Sequence, residues 1–236
     1  MFYGTDDGNK LVDESNYPPS IKEYLEKEKQ ILIKNINKHD VIIEVGCMEA
    51  RNMEYAINNG KKYVGIDIVE DYIRIANRIV KERNLSEICE FLCIDAEKLD
   101  NILQESKLVK GSSSPLFFFP FNSFGNMNNY NNVLDSIMKI KNADFLIFSY
   151  DTDKKSTQER YKYYSNCNYD NLSIRSDNDG VRFTANNGLN SIAYNKEYLI
   201  ENIANRKLPI QIEKFSDIGI VYSINTREKE FERWIK

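Results

Sequence analysis

The alternation of apolar runs with helical periodicities along this chain predicts an α/β protein. Near-continuous apolar runs such as 41–45 are typical of parallel strands that are covered on both faces. Between these runs, apolar positions recur at helical spacing, which predicts crossover helices. A capping box formed by Ser20 and Glu23 is expected to begin the first helix. The predicted strands are 41–45, 62–67, 88–94, 115–120 and 143–150, and the predicted helices are 20–37, 49–59, 70–84, 98–109 and 128–140.

The regular alternation ends at residue 150. A polar, tyrosine-rich helix is predicted over 157–164, and three short strands separated by Asp-Gly and Asn-Gly turns follow it, which indicates an inserted antiparallel sheet. A helix over 196–206 and a β-hairpin come next. The short strands are predicted near 171–176, 180–185 and 190–194, and the hairpin strands over 210–215 and 218–224.

These elements divide the chain into a core and three additions. The core comprises residues 20–150 and 196–226, and residues 151–195 form the insertion. Residues 1–19 are polar and acidic with scattered aromatic side chains, and a segment of this composition is either disordered or folded over a pocket as a lid. Residues 227–236 form a charged C-terminal tail.

Composition and charge exclude several classes of function. Apolar residues make up 42% of the 236 residues, and no apolar run approaches the roughly 18 residues that a membrane span needs. The N-terminus lacks the basic and apolar regions of a signal peptide, so we expect a cytoplasmic protein. A net charge of -4, without a cluster of Lys and Arg, argues against a nucleic-acid partner. Four cysteines without metal-pair spacing and a single histidine, His39, predict neither a metal site nor a Ser-His-Asp triad.

Three acidic side chains stand where a ligand of an α/β sheet is expected. Glu44 interrupts a buried strand just before the turn at Gly46, and a buried carboxylate needs a partner. Asp67 ends the second strand about 20 residues after that turn, where an acid can accept hydrogen bonds from ribose hydroxyls. Asp95 ends the third strand. Both aspartates could instead cap the helices that follow them.

Together these strand ends and the closing hairpin resemble the class I S-adenosylmethionine-dependent methyltransferases over residues 20–150 and 196–226. The resemblance implies a three-layer Rossmann-like sandwich with a seven-stranded, mostly parallel sheet whose last strand is antiparallel. It also implies that S-adenosylmethionine is the cofactor, that S-adenosylhomocysteine is the product, and that the cofactor lies across the C-terminal ends of the first four strands. The cofactor-binding residues it implies are Glu44, Gly46 and Cys47 at the methionine moiety, Asp67 and Ile68 at the ribose, Asp95 and Ala96 at the adenine, and Phe119 beside the sulfonium.

The turn after the first strand departs from the family pattern. The family has glycine two and often four residues after the first glycine, whereas this chain has Met48 and Ala50. A side chain at position 48 narrows the approach to a ligand, and alanine is tolerated at position 50 if its φ is negative. A catalytically inactive binding or scaffold protein with the methyltransferase fold is therefore the alternative to an enzyme.

The acceptor of the methyl group is expected to be a nitrogen or oxygen of a small molecule. Asn122 and Ser123 follow the fourth strand and could orient it, and Tyr150 or Asp151 after the fifth could accept a proton. The insertion should supply specificity. Its candidate stacking surfaces and anion partners are Tyr161, Tyr163, Tyr164, Tyr169, Arg160, Arg175 and Arg182. The alternative is that the insertion serves its own stability or a homodimer.

Overall fold

The computed structural model describes residues 2–48, 50 and 52–227, so most of the predicted C-terminal tail lies outside the described residues. The strands are β1 Val41–Val45, β2 Lys62–Asp67, β3 Cys89–Cys93, β4 Pro115–Phe119, β5 Asp144–Tyr150, β6 Ser173–Ser176, β7 Gly180–Thr184, β8 Asn190–Tyr194, β9 Ile210–Phe215 and β10 Gly219–Asn225. The α-helices are α1 Asp6–Asn9, α2 Pro19–Ile36, α3 Met53–Asn58, α4 Glu70–Glu82, α5 Ile102–Glu105, α6 Lys107–Lys110, α7 Tyr130–Lys139, α8 Lys154–Asn166 and α9 Lys196–Asn205.

Seven strands form one mixed sheet in the order β3-β2-β1-β4-β5-β10-β9. Strand β10 is antiparallel to both of its neighbours, and β1 to β5 pair in parallel. The remaining three strands form a separate antiparallel sheet in the order β6-β7-β8. The predicted seven-stranded sheet, its antiparallel last strand and the inserted antiparallel sheet are therefore confirmed.

Apolar side chains cover both faces of the large sheet. Along β4, Phe118 packs into the layer that holds α2, α3, α4 and α8, whereas Phe117 and Phe119 pack into the layer that holds α7 and α9. All five residues of β1 are buried, as a strand between two helical layers requires. The predicted three-layer sandwich is thus confirmed. Within the part of the chain that the structure describes, no helix has the length and apolar character needed to cross a membrane.

Several helices differ from the prediction. The single helix predicted over 98–109 is instead a 3-10 helix over Ala96–Asn101 followed by α5 and α6, and α8 begins three residues before its predicted start. Helix α2 starts at Pro19 without a side-chain cap, and the Ser20 hydroxyl donates instead to Glu159 of α8 at 2.6 Å. The predicted capping box is therefore wrong, and the serine joins α2 to the insertion. Helix α3 starts only at Met53, because Met48 and Ala50 adopt φ values of 41° and 56°, which no α-helix accepts.

Candidate active site

A cavity of about 670 Å³ lies at the carboxyl ends of the central strands. That volume is typical of a small-molecule site. Its floor comes from β1, β2 and the residues after β3 and β4, and its cover comes from the N-terminal segment and the insertion. Ligands of open α/β sheets bind at this edge because several strand ends and loops converge there. The predicted site residues that line the cavity are Glu44, Gly46, Cys47, Asp67, Ile68, Asp95, Ala96, Ser123, Tyr150 and Tyr164.

The turn after β1 has the backbone of a glycine-rich loop without the later glycines. Gly46 has a φ of +81°, and a Cβ atom there would lie 3.1 Å from the Cβ of Ser123. The amides of Gly46 and Cys47 both donate to the carbonyl of Ile66, at 2.8 and 3.0 Å. Ala50 has a positive φ of 56°, so the condition under which alanine would be tolerated at this position, a negative φ, is not met.

Asp67 links this turn to the start of α4. One carboxylate oxygen accepts from the Met48 amide at 3.0 Å, and the other accepts from the Val69 amide at 2.9 Å. The side chain is buried, and this burial raises the pKa of the carboxyl, while the amide bonds oppose the rise. Two amide bonds leave lone pairs on both oxygens, so Asp67 can still accept from a ligand in the cavity.

Asp95 lies at the end of the neighbouring strand and also has a structural role. Its side chain accepts from the Glu97 amide at 2.9 Å and caps a short 3-10 helix over Ala96–Asn101. The capping alternative is thus realised at Asp95, although its side chain and Ala96 also line the cavity.

Glu44 has partners that explain its burial. The Tyr63 hydroxyl donates to one oxygen of the carboxylate, and the Asn52 amide donates to the other at 2.8 Å. Burial raises the pKa of Tyr63 well above its usual value, so this phenol keeps the proton that it donates. Glu44 therefore connects β1 to β2 and to the residue before α3, and it holds the turn in place.

An aromatic wall faces the acidic floor across the cavity. The ring of Phe121 lies 5.9 Å from Tyr17, 5.7 Å from Tyr163 and 6.1 Å from Tyr150, centre to centre. Burial raises the pKa of Tyr150 well above its usual value. Tyr150 therefore retains its proton at neutral pH, which suits a hydrogen-bond donor rather than the proton acceptor we expected.

Two predicted residues at the sheet edge lie behind the cavity rather than on it. Phe119 is fully buried on the α7 side of the sheet, where its ring packs edge-on against Phe124 at 5.5 Å. The ring of Phe121 occupies the cavity side instead, because its φ of 46° turns the chain. Asp151 pairs with Lys214 at 2.5 Å and lies outside the described lining of the cavity.

Asn122 has a structural role. It has a φ of 60°, and its amide nitrogen donates to the Ser191 hydroxyl at 3.2 Å and to the Ile192 carbonyl at 3.0 Å. Its amide oxygen accepts from the Ser149 hydroxyl at 2.9 Å. All of these atoms are buried, so the side chain connects β5 to the inserted sheet and does not reach an acceptor molecule.

Only part of the predicted set from the insertion lies at the cavity. Tyr161 is 46% exposed, and neither it nor Arg182, which bonds to Asn190 and Asp179, is among the described lining residues. Tyr163 and Tyr164, two of the expected stacking residues, line the cavity together with Ser191, which we did not predict. The buried positions of α8 are Ser156, Arg160, Tyr163 and Tyr164, and they follow helical spacing. If Arg160 is counted as a buried position, this spacing indicates which face of α8 is turned toward the interior.

The N-terminal segment lies across the cavity, and we call residues 2–17 the strap. The hydroxyls of Tyr163 and Tyr17 both donate to the Leu11 carbonyl, at 2.6 and 3.1 Å. The Tyr169 hydroxyl donates to the Asp7 carbonyl at 2.7 Å. Of the two alternatives for this segment, the structure has it folded over a pocket.

Comparisons with known proteins agree with this architecture. Residues 43–107 match a family model described as a methyltransferase domain. No curated protein sequence matches the chain. The chain therefore has the class I methyltransferase fold, as the sequence resemblance implied, and the match to the methyltransferase-domain model covers β2, β3 and most of β1.

Solved structures with very different sequences share the fold. The PH0226 protein from Pyrococcus horikoshii OT3 aligns with a TM-score of 0.62 at 18% identity, over 96% of each chain. The 1,6-didemethyltoxoflavin-N1-methyltransferase of Burkholderia thailandensis, bound to 1,6-didemethyltoxoflavin and S-adenosylhomocysteine, aligns with a TM-score of 0.56 at 14% identity, over 94% of this chain and 83% of that one. The cyclase SpnF also aligns, with a TM-score of 0.56 at 12% identity, over 84% and 81%. Because a cyclase shares the fold, the fold by itself does not specify the reaction.

Proposed function

We propose that this chain binds S-adenosylmethionine and transfers its methyl group to a nitrogen or oxygen of a small molecule. The observation that carries the proposal is the position of Asp67 and Asp95 at two adjacent strand ends, both lining one cavity beside a left-handed glycine turn. The Burkholderia methyltransferase, which holds both an acceptor and S-adenosylhomocysteine, supports a small-molecule acceptor for this fold.

The residues on the floor of the cavity fit the cofactor. Asp67 would accept from the ribose hydroxyls, Asp95 and the Ala96 amide would meet the adenine, and the turn at Gly46 and Cys47 would approach the methionine moiety. Ile68, beside Asp67, completes this set. When bound, the cofactor supplies an electrophilic methyl group on a sulfonium.

The acceptor half of the cavity can orient a nucleophile but offers little to deprotonate it. Phe121, Tyr150 and Tyr163 present rings that exclude water and align a flat molecule. Among the described lining residues from 120 to 191, none is a carboxylate or a histidine, and the strap contributes a single carboxylate, Glu14, to the described lining. We therefore propose that the acceptor arrives as a competent nucleophile, held between these rings and the hydroxyls of Ser123, Tyr164 and Ser191.

The strap and the insertion are the parts of the chain that we propose to select the acceptor. Both contribute side chains to the cavity, and the tyrosines of α8 bond to backbone carbonyls of the strap. Because the strap lies over the cavity, we propose that it acts as a lid that opens to admit the ligands.

Calorimetry with S-adenosylmethionine and S-adenosylhomocysteine tests the proposal. Asp67→Ala should weaken binding by about 1–3 kcal/mol, because polar ligand groups lose their acceptor. Asp71→Ala is the matched control, since Asp71 is exposed and pairs with Arg74 on the surface of α4. Absence of binding to the wild-type protein at millimolar cofactor would refute the proposed function, and an unchanged affinity in Asp67→Ala would refute the ribose assignment. Once binding is established, formation of S-adenosylhomocysteine with amine and hydroxyl acceptors tests turnover.

A further inference from the structure

A fully buried arginine lies behind the acceptor half of the cavity. Arg160 of α8 has no exposed surface, and its guanidinium donates to the Val181 carbonyl at 3.0 Å and to the Ser191 carbonyl at 3.2 Å. Its Nε atom has no hydrogen-bond partner within the part of the chain that the structure describes. None of the described carboxylates lies within ion-pair distance of it.

The surroundings compensate this charge only in part. The guanidinium carbon lies 4.9 Å from the ring centre of Tyr150 and 4.6 Å from that of Phe183, and the electron-rich faces of aromatic rings attract cations. Carbonyls and rings carry no net charge, however. A buried cation without a counter-ion is strongly unfavourable, so an anion in the adjacent cavity would stabilise this arrangement.

The hydroxyl of Ser191 lies between the Arg160 guanidinium and the cavity. It accepts from the Asn122 amide at 3.2 Å, lies 3.5 Å from the second guanidinium nitrogen of Arg160, and is 3.1 Å from the Tyr164 hydroxyl. The amide nitrogen of asparagine and the guanidinium nitrogens of arginine can only donate. The single hydrogen bond between Ser191 and Tyr164 uses only one of their two hydroxyl protons.

The other hydroxyl proton is free to point into the cavity. Ser191 and Tyr164 both line it, and each is almost completely buried. A cavity wall that offers an O–H donor, backed by a guanidinium without a carboxylate partner among the described residues, suits an anionic oxygen, because hydrogen bonds to charged acceptors are shorter and stronger than neutral ones. The rings of Phe121, Tyr150 and Tyr163 suit a planar molecule.

We propose that the methyl acceptor is a planar anion. Its phenolate, enolate or carboxylate oxygen accepts a hydrogen bond from the hydroxyl pair of Ser191 and Tyr164. This inference rests on the proposed function and specifies the substrate class for the same site. Arg160 acts as a positioning residue, since it touches Ser191 and not the ligand.

The test compares two flat probes of the same shape, 2-naphthoate and 2-naphthamide, on protein saturated with S-adenosylhomocysteine. Calorimetry should show the anion binding at least about tenfold more tightly than the amide to wild-type protein. In the Ser191→Ala, Tyr164→Phe double variant, this preference should fall below about threefold. Tyr161→Phe removes a hydroxyl from the exposed face of the same helix and should keep the full preference.

Arg160 is tested by Arg160→Met and Arg160→Lys. The methionine variant should lose the preference for the anion, and the lysine variant, which keeps the charge, should retain part of it and remains informative if Arg160→Met does not fold. Equal affinity for the two probes, no binding of either at millimolar concentration, or an undiminished preference in the double variant would each overturn the inference. Failure to bind S-adenosylhomocysteine would refute the proposed function instead, so the two failures are distinguishable.

Discussion

Because the backbone at Met48 is left-handed, glycine should be more stable than alanine at this position, whereas alanine should be the more stable of the two inside a helix. Met48 has a φ of 41°, and an L-residue in this region is less stable by about 1–2 kcal/mol than in its preferred conformations. Glycine avoids that steric cost but loses about 0.5–1 kcal/mol more entropy than alanine on folding. Met48→Ala and Met48→Gly both remove the side chain beyond Cβ, so their difference isolates the backbone effect.

We expect Met48→Gly to be more stable than Met48→Ala by about 0.5–1 kcal/mol, the difference between these two effects. Met138 is the matched control, because it is exposed and lies inside helix α7. There, Met138→Gly should be less stable than Met138→Ala by about 1 kcal/mol. Urea unfolding followed by circular dichroism measures all four free energies. If alanine is the more stable variant at both sites, the turn after β1 is not left-handed.

Two further predictions concern the pH dependence of stability and the strap. The pKa of His39 is lowered by burial, against the opposing effect of Asp144 at 3.2 Å, so the unfolded chain binds the proton more readily. The free energy of unfolding should therefore fall as the pH drops below about 6.5, the usual histidine pKa, and His39→Gln should reduce this slope in urea titrations between pH 7.5 and 5.5; an unchanged slope would contradict the assignment. Tyr163→Phe removes the 2.6 Å bond to Leu11 and should speed hydrogen exchange in the strap about fivefold, corresponding to about 1 kcal/mol, whereas Tyr161→Phe should leave it unchanged. Equal exchange in the two variants would show that this bond does not hold the strap.

The fold was predictable because its signals are local. Each parallel strand is a short apolar run, and the two turns of the insertion carry Asp-Gly and Asn-Gly pairs. The position of Asp67 and Asp95 followed from the same reasoning, because the carboxyl ends of adjacent parallel strands meet at one edge of the sheet. The sequence therefore predicted the acidic floor of the cavity.

The aromatic wall was not predictable because it depends on non-local contacts and on single backbone angles. No sequence rule shows that Phe121 adopts a φ of 46°, and this angle places its ring, rather than that of Phe119, on the cavity. The burial of Asn122 depends on Ser191, 69 residues away. Arg160 was expected as an anion partner, but the sequence did not show that its side chain is fully buried, because a charged residue is rarely buried.

The loop that follows β4 packs tightly against β8 of the insertion, so the insertion cannot be removed without disrupting the core. A Cβ atom on Gly125 would lie 1.8 Å from the Ile192 carbonyl, so the two backbones meet where only glycine fits. Phe124 packs on Tyr194 at 5.9 Å beside this junction, and the Asn122 amide crosses it. Excising or exchanging the insertion would leave buried polar groups and an aromatic ring of the core uncovered. The boundary between core and insertion can be drawn along the chain, but in three dimensions the two share one interior.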